Sequence, residues 1–186
     1  MLSPYIGTMM PHIEELLPAY AKGEITDENL LTLLLDVLAK SFDVDEGAYW
    51  TDGLTIKLIP QLVALIDSPI TASTTLTSIS TPAEHLAGCL GSLAGSTTTE
   101  SLLKSLNTSI CLTSRSDVVS SRLAALKAIE GIWTKQSEEL MPFVQETVAE
   151  FLSELVEDEN GDVEVLARKV IKTIEGVAGN VEEYLE

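Results

Sequence analysis

Apolar residues recur along this chain every three or four positions. Ile6, Met10, Ile13, Leu17 and Tyr20 form one stripe, and Leu31, Leu34, Leu38 and Phe42 a second. Leu58, Leu62, Leu65 and Ile66 form a third. Toward the end, Leu140, Val144, Val148, Phe151 and Leu155 repeat the spacing, followed by Val163, Ala167, Val170, Ile174 and Val177. Such spacing places apolar side chains on one face of an α-helix, and no segment shows the sustained alternation of a strand. The pattern therefore predicts an all-α fold of about eight helices, at roughly 4–22, 26–43, 49–67, 82–94, 99–114, 116–135, 138–157 and 162–178.

Capping chemistry supports these limits. Thr81-Pro82-Ala83-Glu84 has the form of a capping box with Pro at the first helical position. Thr97-Thr98-Thr99-Glu100 and Ser114-Arg115-Ser116-Asp117 read as similar starts, and Asp162 as the cap of a helix beginning at Val163. Gly23, Gly47, Gly95, Gly161 and Gly179 are the expected stops. Between Thr71 and Ser114 only Glu84, Glu100 and Lys104 are charged, and Ser and Thr abound. Residues 68–81 read as an exposed, mobile Ser/Thr-rich connector, with phosphorylation as an alternative use.

Two stretches nearly repeat each other. LKAIEGI at 126–132 matches IKTIEGV at 171–177, at an offset of 45 residues from Lys127 to Lys172. At the same offset Glu138 meets Glu183 and Leu140 meets Leu185. An apolar-apolar-Pro-x-apolar pattern occurs at MMPHI (9–13), LIPQL (58–62) and LMPFV (140–144). A Pro-bearing helix followed by a second helix, repeating at this period, marks a HEAT-type α-solenoid. Proline kinks or restarts the first helix of each pair, and the second supplies an inner layer. The expected architecture is about four stacked pairs. In the two matching stretches Leu126, Ile129, Ile171 and Ile174 should point inward, with Lys127 and Lys172 in water.

Composition narrows the function. Hydrophobic residues make up 45% and aromatic residues 5%, the balance of an aliphatic helical protein. The net charge of −18, from 29 acidic and 11 basic residues, opposes direct phosphate binding and suits a basic protein partner. Cys89 and Cys111 read as small core residues in a reducing compartment. No basic region precedes the first apolar residues, so no signal peptide is expected, and the most apolar run, 30–39, is too short to span a bilayer. The expectation is an intracellular protein without a membrane segment. His12 and His85, the only histidines, lack metal-ligand spacing. There is no phosphate loop or nucleophile elbow. EDENGD at 157–162 lacks the acid spacing of a calcium loop and reads as a solvated turn. Neither catalysis nor a cofactor is expected.

The stretches LLKSLNTSICLTSRSDVVSSRLAALKAIEGIW (102–133), LMPFVQETVAEFLSELVEDENGDVEVLARKVIKTIEGV (140–177) and VEEYL (181–185) resemble the C-terminal HEAT region of the U3 small nucleolar RNA-associated HEAT-repeat proteins of the UtpA (t-UTP) subcomplex. YWTDGLTIKLIPQLVALIDS (49–68) resembles the segment that opens that region. The likeness is greatest over 48–186. It implies one domain, 1–186, forming the terminal piece of a longer, non-catalytic nucleolar scaffold of the small-subunit processome. The implied roles are early pre-rRNA processing toward 18S rRNA and support of rDNA transcription. The implied partners are other processome proteins, with U3 snoRNA and pre-rRNA reached through the complex. The chain departs from the family pattern at the start of its last inner helix. Glu164 stands where Arg is expected and Arg168 comes one turn later, which breaks the usual Asp–Arg ladder there. A HEAT adaptor of transport or translation control is the alternative reading.

Arg122, Lys127, Arg168, Lys169 and Lys172, with Arg115, fall in the last helices and are the candidate partner-binding positions. Glu139, Glu146, Glu150, Glu154 and Glu157 read as a solvated outer edge that could dock a basic loop. Trp133 shares the stripe of Leu126 and Ile129 and is expected in the core.

Overall fold

The computed structural model describes residues 3–45, 48–72, 81–97 and 99–184. They form α1 Ser3–Ala21, α2 Glu28–Val44, α3 Asp52–Ala64, α4 Pro82–Ser96, α5 Glu100–Thr113 and α6 Val119–Lys135. The seventh helix, α7, covers 137–155 and is irregular. An α-turn at Ser137–Leu140 leads into a 3₁₀ turn at Met141–Phe143, a π segment at Glu146–Leu152 and a last α-turn at Ser153–Leu155. Helix α8 is Gly161–Ala178.

Two layers result. The first helices of the pairs stack in series, α1 on α3, α3 on α5, and α5 on the π segment of α7. The second helices do the same, α2 on α4, α4 on α6, and α6 on α8. The architecture is an all-α, HEAT-like solenoid of four pairs, and the two LKAIEGI-type stretches lie on adjacent second helices. Leu17, Leu35, Leu62, Leu90, Leu106 and Ile129 are fully buried in the apolar core that joins the layers. Each such side chain contributes about 2 kcal/mol of burial free energy.

The prolines of the three repeat patterns sit on first helices, as the repeat predicts, whereas Pro82 opens the second helix α4. Pro11 and Pro18 lie in α1 and Pro60 in α3. Pro142 occupies the 3₁₀ turn of α7, where the missing N–H breaks the regular ladder ahead of the π segment. Gly23 and Gly179 end α1 and α8 with φ of 72° and 81°, which a side chain would resist. Thr81 caps α4 by accepting from the Glu84 N–H.

Other caps differ from the sequence reading. Asn160, not Asp162, caps α8, accepting from the N–H groups of Asp162 and Val163. Gly161 is therefore the first helical residue rather than a stop. The Asn160 N–H in turn donates to Asp158 Oδ1 at 2.8 Å, which tightens the turn. Thr99 precedes α5 without a side-chain cap, since its hydroxyl donates to Asp52 Oδ2 at 2.6 Å. Ser114 closes α5, and α6 starts later than expected, at Val119 after the uncapped Val118. Gly95 lies inside α4, which runs on to Ser96. Gly47 lies outside the described residues.

The connector after α3 is not exposed at its start. Ser68, Ile70, Thr71 and Thr81 are buried. A helical turn forms at Pro69–Ala72, and the Thr71 hydroxyl bonds the carbonyls of Leu65, Ile66 and Ser68. Residues 73–80, the rest of the predicted mobile loop, lie outside the described residues.

Candidate interaction surface

The layer of second helices carries the most organised surface chemistry. Helices α4 and α6 cross with their backbones in contact. A Cβ on Gly131 would lie 2.5 Å from the Ala87 carbonyl oxygen, and one on Gly91 would lie 2.8 Å from the Gly131 carbonyl oxygen. Only glycine permits this approach. The close crossing leaves a shallow trough of about 400 Å³, lined by Ala87, Gly88, Gly91 and Gly131 and rimmed by Glu84, Lys127, Glu130, Lys135 and Lys169. A second hollow of about 440 Å³ adjoins it through Glu84, Gly88 and Lys135 and adds Asp36 and His85.

A ladder of hydrogen-bonded and ion-paired side chains crosses this layer helix by helix. His85 Nδ1 on α4 sits 2.7 Å from Asp36 Oδ1 on α2. Lys127 on α6 pairs with Glu84 on α4 at 3.2 Å, and Lys169 on α8 with Glu130 on α6 at 2.9 Å. Lys135 reaches over the glycines of α4 to Asp43 on α2, at 3.4 Å. Partly exposed pairs of this kind contribute about 0–1 kcal/mol each, so they set register more than stability.

The structure separates the basic residues expected to share a face. Arg122 lies at the turn edge, where it holds two interhelical turns. Its Nη1 donates to the carbonyls of Ser116 and Asp117, its Nη2 donates to Asp158 Oδ1 at 3.1 Å, and its Nε rests 2.9 Å from Asp158 Oδ2 as a charge contact. The Asp–Arg rung is thus present one repeat earlier than the position of Glu164. Arg168 lies near the same edge, donating to Glu164 and to the Val156 carbonyl. Lys127 and Lys169 face the trough. Lys127 is not in open water, because its side chain is only 15% exposed. Lys172 is exposed and makes no ion pair among the described residues. Arg115 stacks on the Phe151 ring, 4.7 Å from its centroid, and pairs with Glu154 on the first-helix layer. Among the described residues eight of the eleven Lys and Arg residues are paired in this way, all but Lys40, Lys57 and Lys172.

The expected acidic edge is partly occupied. Glu146 pairs with Lys104 and accepts from the Thr108 hydroxyl, and Glu154 holds Arg115. Glu139, Glu150 and Glu157 are exposed.

Trp133 is buried, and its Nε1–H donates to Asn107 Oδ1 at 3.3 Å. Asn107 donates in turn to Thr147 Oγ1 on the π segment at 2.9 Å. This buried polar chain ties α5, α6 and α7 together. Trp50 is buried too, donating from Nε1 to Ser41 Oγ, while Asp45 accepts the N–H groups of Tyr49 and Trp50. Cys89 and Cys111 are buried free thiols. Burial pushes the Cys111 thiol up to about 12 and the Cys89 thiol higher still, with nearby carboxylates adding to both shifts.

Sequence reasoning missed the acidic halves of the ladder and the glycine trough. The signal for the trough was Gly131 inside LKAIEGI, a glycine within a helix interior where backbone entropy disfavours it. Among the described residues no group of His, Cys, Asp and Glu could hold a metal ion, and no helix is long and apolar enough to cross a membrane.

No family model matches the chain. Individual proteins do. The chain is similar to the U3 small nucleolar RNA-associated protein 10 of Debaryomyces hansenii, at 24% identity over all of this chain and 10% of that protein. It is similar to the HEAT repeat-containing protein 1 of Danio rerio, at 31% identity over 81% of this chain and 7% of the fish protein. An uncharacterized Arabidopsis thaliana protein is 30% identical over 84% of this chain and 7% of its own length. The chain thus spans a tenth or less of the length of these relatives. The name of the Danio rerio protein and the four stacked pairs agree on a HEAT-type fold.

Proposed function

We propose that the chain is a scaffold segment of a ribosome-biogenesis factor, acting within a U3 small nucleolar ribonucleoprotein assembly in the nucleolus. The observation that carries this reading is the likeness, over most of the chain, to relatives named for U3 small nucleolar RNA and for HEAT repeats. The finer reading places it in the UtpA part of the small-subunit processome, as the C-terminal HEAT domain of the longer protein, in early processing toward 18S rRNA and in support of rDNA transcription. The electrostatics favour protein docking. Most of the cations are engaged inside the chain, so a net charge of −18 is left to meet a basic protein segment rather than a phosphate backbone. Of the candidate basic positions on the second-helix layer, exposed Lys172 is the one left to face a partner, whereas Glu84 and Glu130 hold Lys127 and Lys169, and Arg122 and Arg168 hold the turns.

Immobilised chain exposed to nuclear extract tests this, with bound protein and RNA identified before and after nuclease. Processome proteins retained after nuclease are the expected result. Enrichment of transport or translation factors instead would replace the reading with that of another HEAT adaptor. Recovery that disappears with nuclease, and with charge reversal of Arg168, Lys169 and Lys172, would make RNA the direct partner.

A further inference from the structure

A covalent weak point stands at the start of α8. Asparagine followed by glycine readily loses its side-chain amide, because glycine has no side chain to shield its backbone nitrogen. Asn160 alone among the asparagines of the chain precedes glycine. The reaction needs only water. The Gly161 backbone nitrogen gives up its proton and attacks Asn160 Cγ, the Cγ–Nδ2 bond breaks and ammonia leaves. Water then opens the five-membered imide at either carbonyl, giving aspartate or isoaspartate with no change of oxidation state.

The fold supplies both access and restraint. Asn160 is half-buried and Gly161 exposed, and a Cβ on Gly161 would meet nothing within 4 Å, so water reaches the site. Yet Asn160 Oδ1 accepts the N–H groups of Asp162 at 3.1 Å and Val163 at 3.2 Å. The ψ of Asn160 is 113°, which in an L-residue turns the Gly161 nitrogen away from the Cβ–Cγ arm. Ring closure therefore requires the first turn of α8 to open. A neighbouring contact resists that opening. The Asn160 N–H donates to Asp158 Oδ1 at 2.8 Å, and Asp158 is the carboxylate held by Arg122 from the α5–α6 turn. Local opening of one helix pair costs less than global unfolding.

The two products differ in their effect. Aspartate keeps the cap, since its carboxylate accepts the same N–H groups. Isoaspartate routes the main chain through the former side chain. The carboxylate then leaves the cap position, and the first N–H groups of α8 lose their acceptor. We propose that Asn160–Gly161 is a deamidation site gated by opening of the α7–α8 pair, and that its isoaspartate product leaves that pair loosened. Reacted molecules open more readily, so the modification runs one way. The inference stands whatever complex the protein serves.

The 186-residue chain, native or unfolded in urea, is held at neutral pH, and peptide mapping follows the amide-to-acid mass gain at Asn160. Reaction about tenfold or more faster in the unfolded chain is expected, as the closed cap protects the site. Equal rates would overturn the gate, and no mass gain in the unfolded chain would remove the site. Arg122→Ala should speed the native reaction by a similar factor and leave the unfolded rate unchanged. An unchanged native rate in that variant would overturn the coupling through the Asp158 turn. Isoaspartate-bearing molecules, separated by anion exchange and identified by enzymatic methylation of the isoaspartyl carboxylate, should unfold at a lower urea midpoint than the parent chain. Asn160→Asp, which keeps the cap, should stay near the parent. A parent-like midpoint for the isoaspartate form would overturn the loosening.

Discussion

Two glycines in matching stretches occupy opposite environments. Gly131 has the Ala87 carbonyl where a Cβ would go, while a Cβ on Gly176 would meet nothing within 4 Å. Gly131→Ala should therefore force α4 and α6 apart and cost about 1–3 kcal/mol. Gly176→Ala should be neutral or add up to about 1 kcal/mol by its better helix propensity. Urea unfolding of both variants checks the pair, and equal effects would contradict the close crossing. The thiols make a second residue-scale prediction. Unfolded, Cys111 loses its proton near the ordinary 9.0, whereas in the fold it holds it to about 12. The unfolded chain thus releases its proton first as pH rises. The contribution of the buried thiol to stability is complete below pH 9 and is lost progressively above it. Denaturation midpoints across pH 7–11 should fall only in the alkaline range, and native Cys89 and Cys111 should resist thiol reagents at neutral pH.

At the scale of elements, the turns and the irregular helix matter most. Arg122 and Asp158 are nearly enclosed, with side chains 15% and 11% exposed, and they join the α5–α6 turn to the α7–α8 turn. Arg122→Ala leaves that carboxylate short of its partner and should cost about 2–3 kcal/mol. Arg168→Ala removes an exposed pair and should cost less than about 1 kcal/mol. Thermal unfolding of the two variants separates them, and a larger loss for Arg168 would contradict the rung. Asn107 plays a similar part for the π segment. Asn107→Ala orphans Trp133 Nε1–H, removes the donor to Thr147 Oγ1 and should cost about 2–3 kcal/mol, with a change in Trp fluorescence.

For the whole molecule, unpaired acid dominates. Ion pairs engage most of the cations, yet the net charge remains −18. Repulsion among the remaining carboxylates should outweigh the exposed ladder. Raising NaCl from about 10 to 300 mM, a range over which the Debye length falls several-fold, should then raise the unfolding midpoint. A falling midpoint would mean that the ladder contributes more than the repulsion.

The sequence by itself determined the helices, their pairing and their alternation between two layers. Local spacing specifies an amphipathic helix, and a repeated period forces stacking, because one pair cannot bury its own stripe. It also placed Trp133 in the core and Pro11, Pro60 and Pro142 on first helices. The tertiary structure alone decided which charges meet. The partners of Lys127, Lys169 and Arg122 lie 43, 39 and 36 residues away in the chain, and no local pattern encodes such contacts. It likewise decided that Ser68 and Thr71 are buried and that Asn160 rather than Asp162 caps α8. The two glycines differ for the same reason. Their sequences match, but the backbone that faces each one is set by how the helices cross.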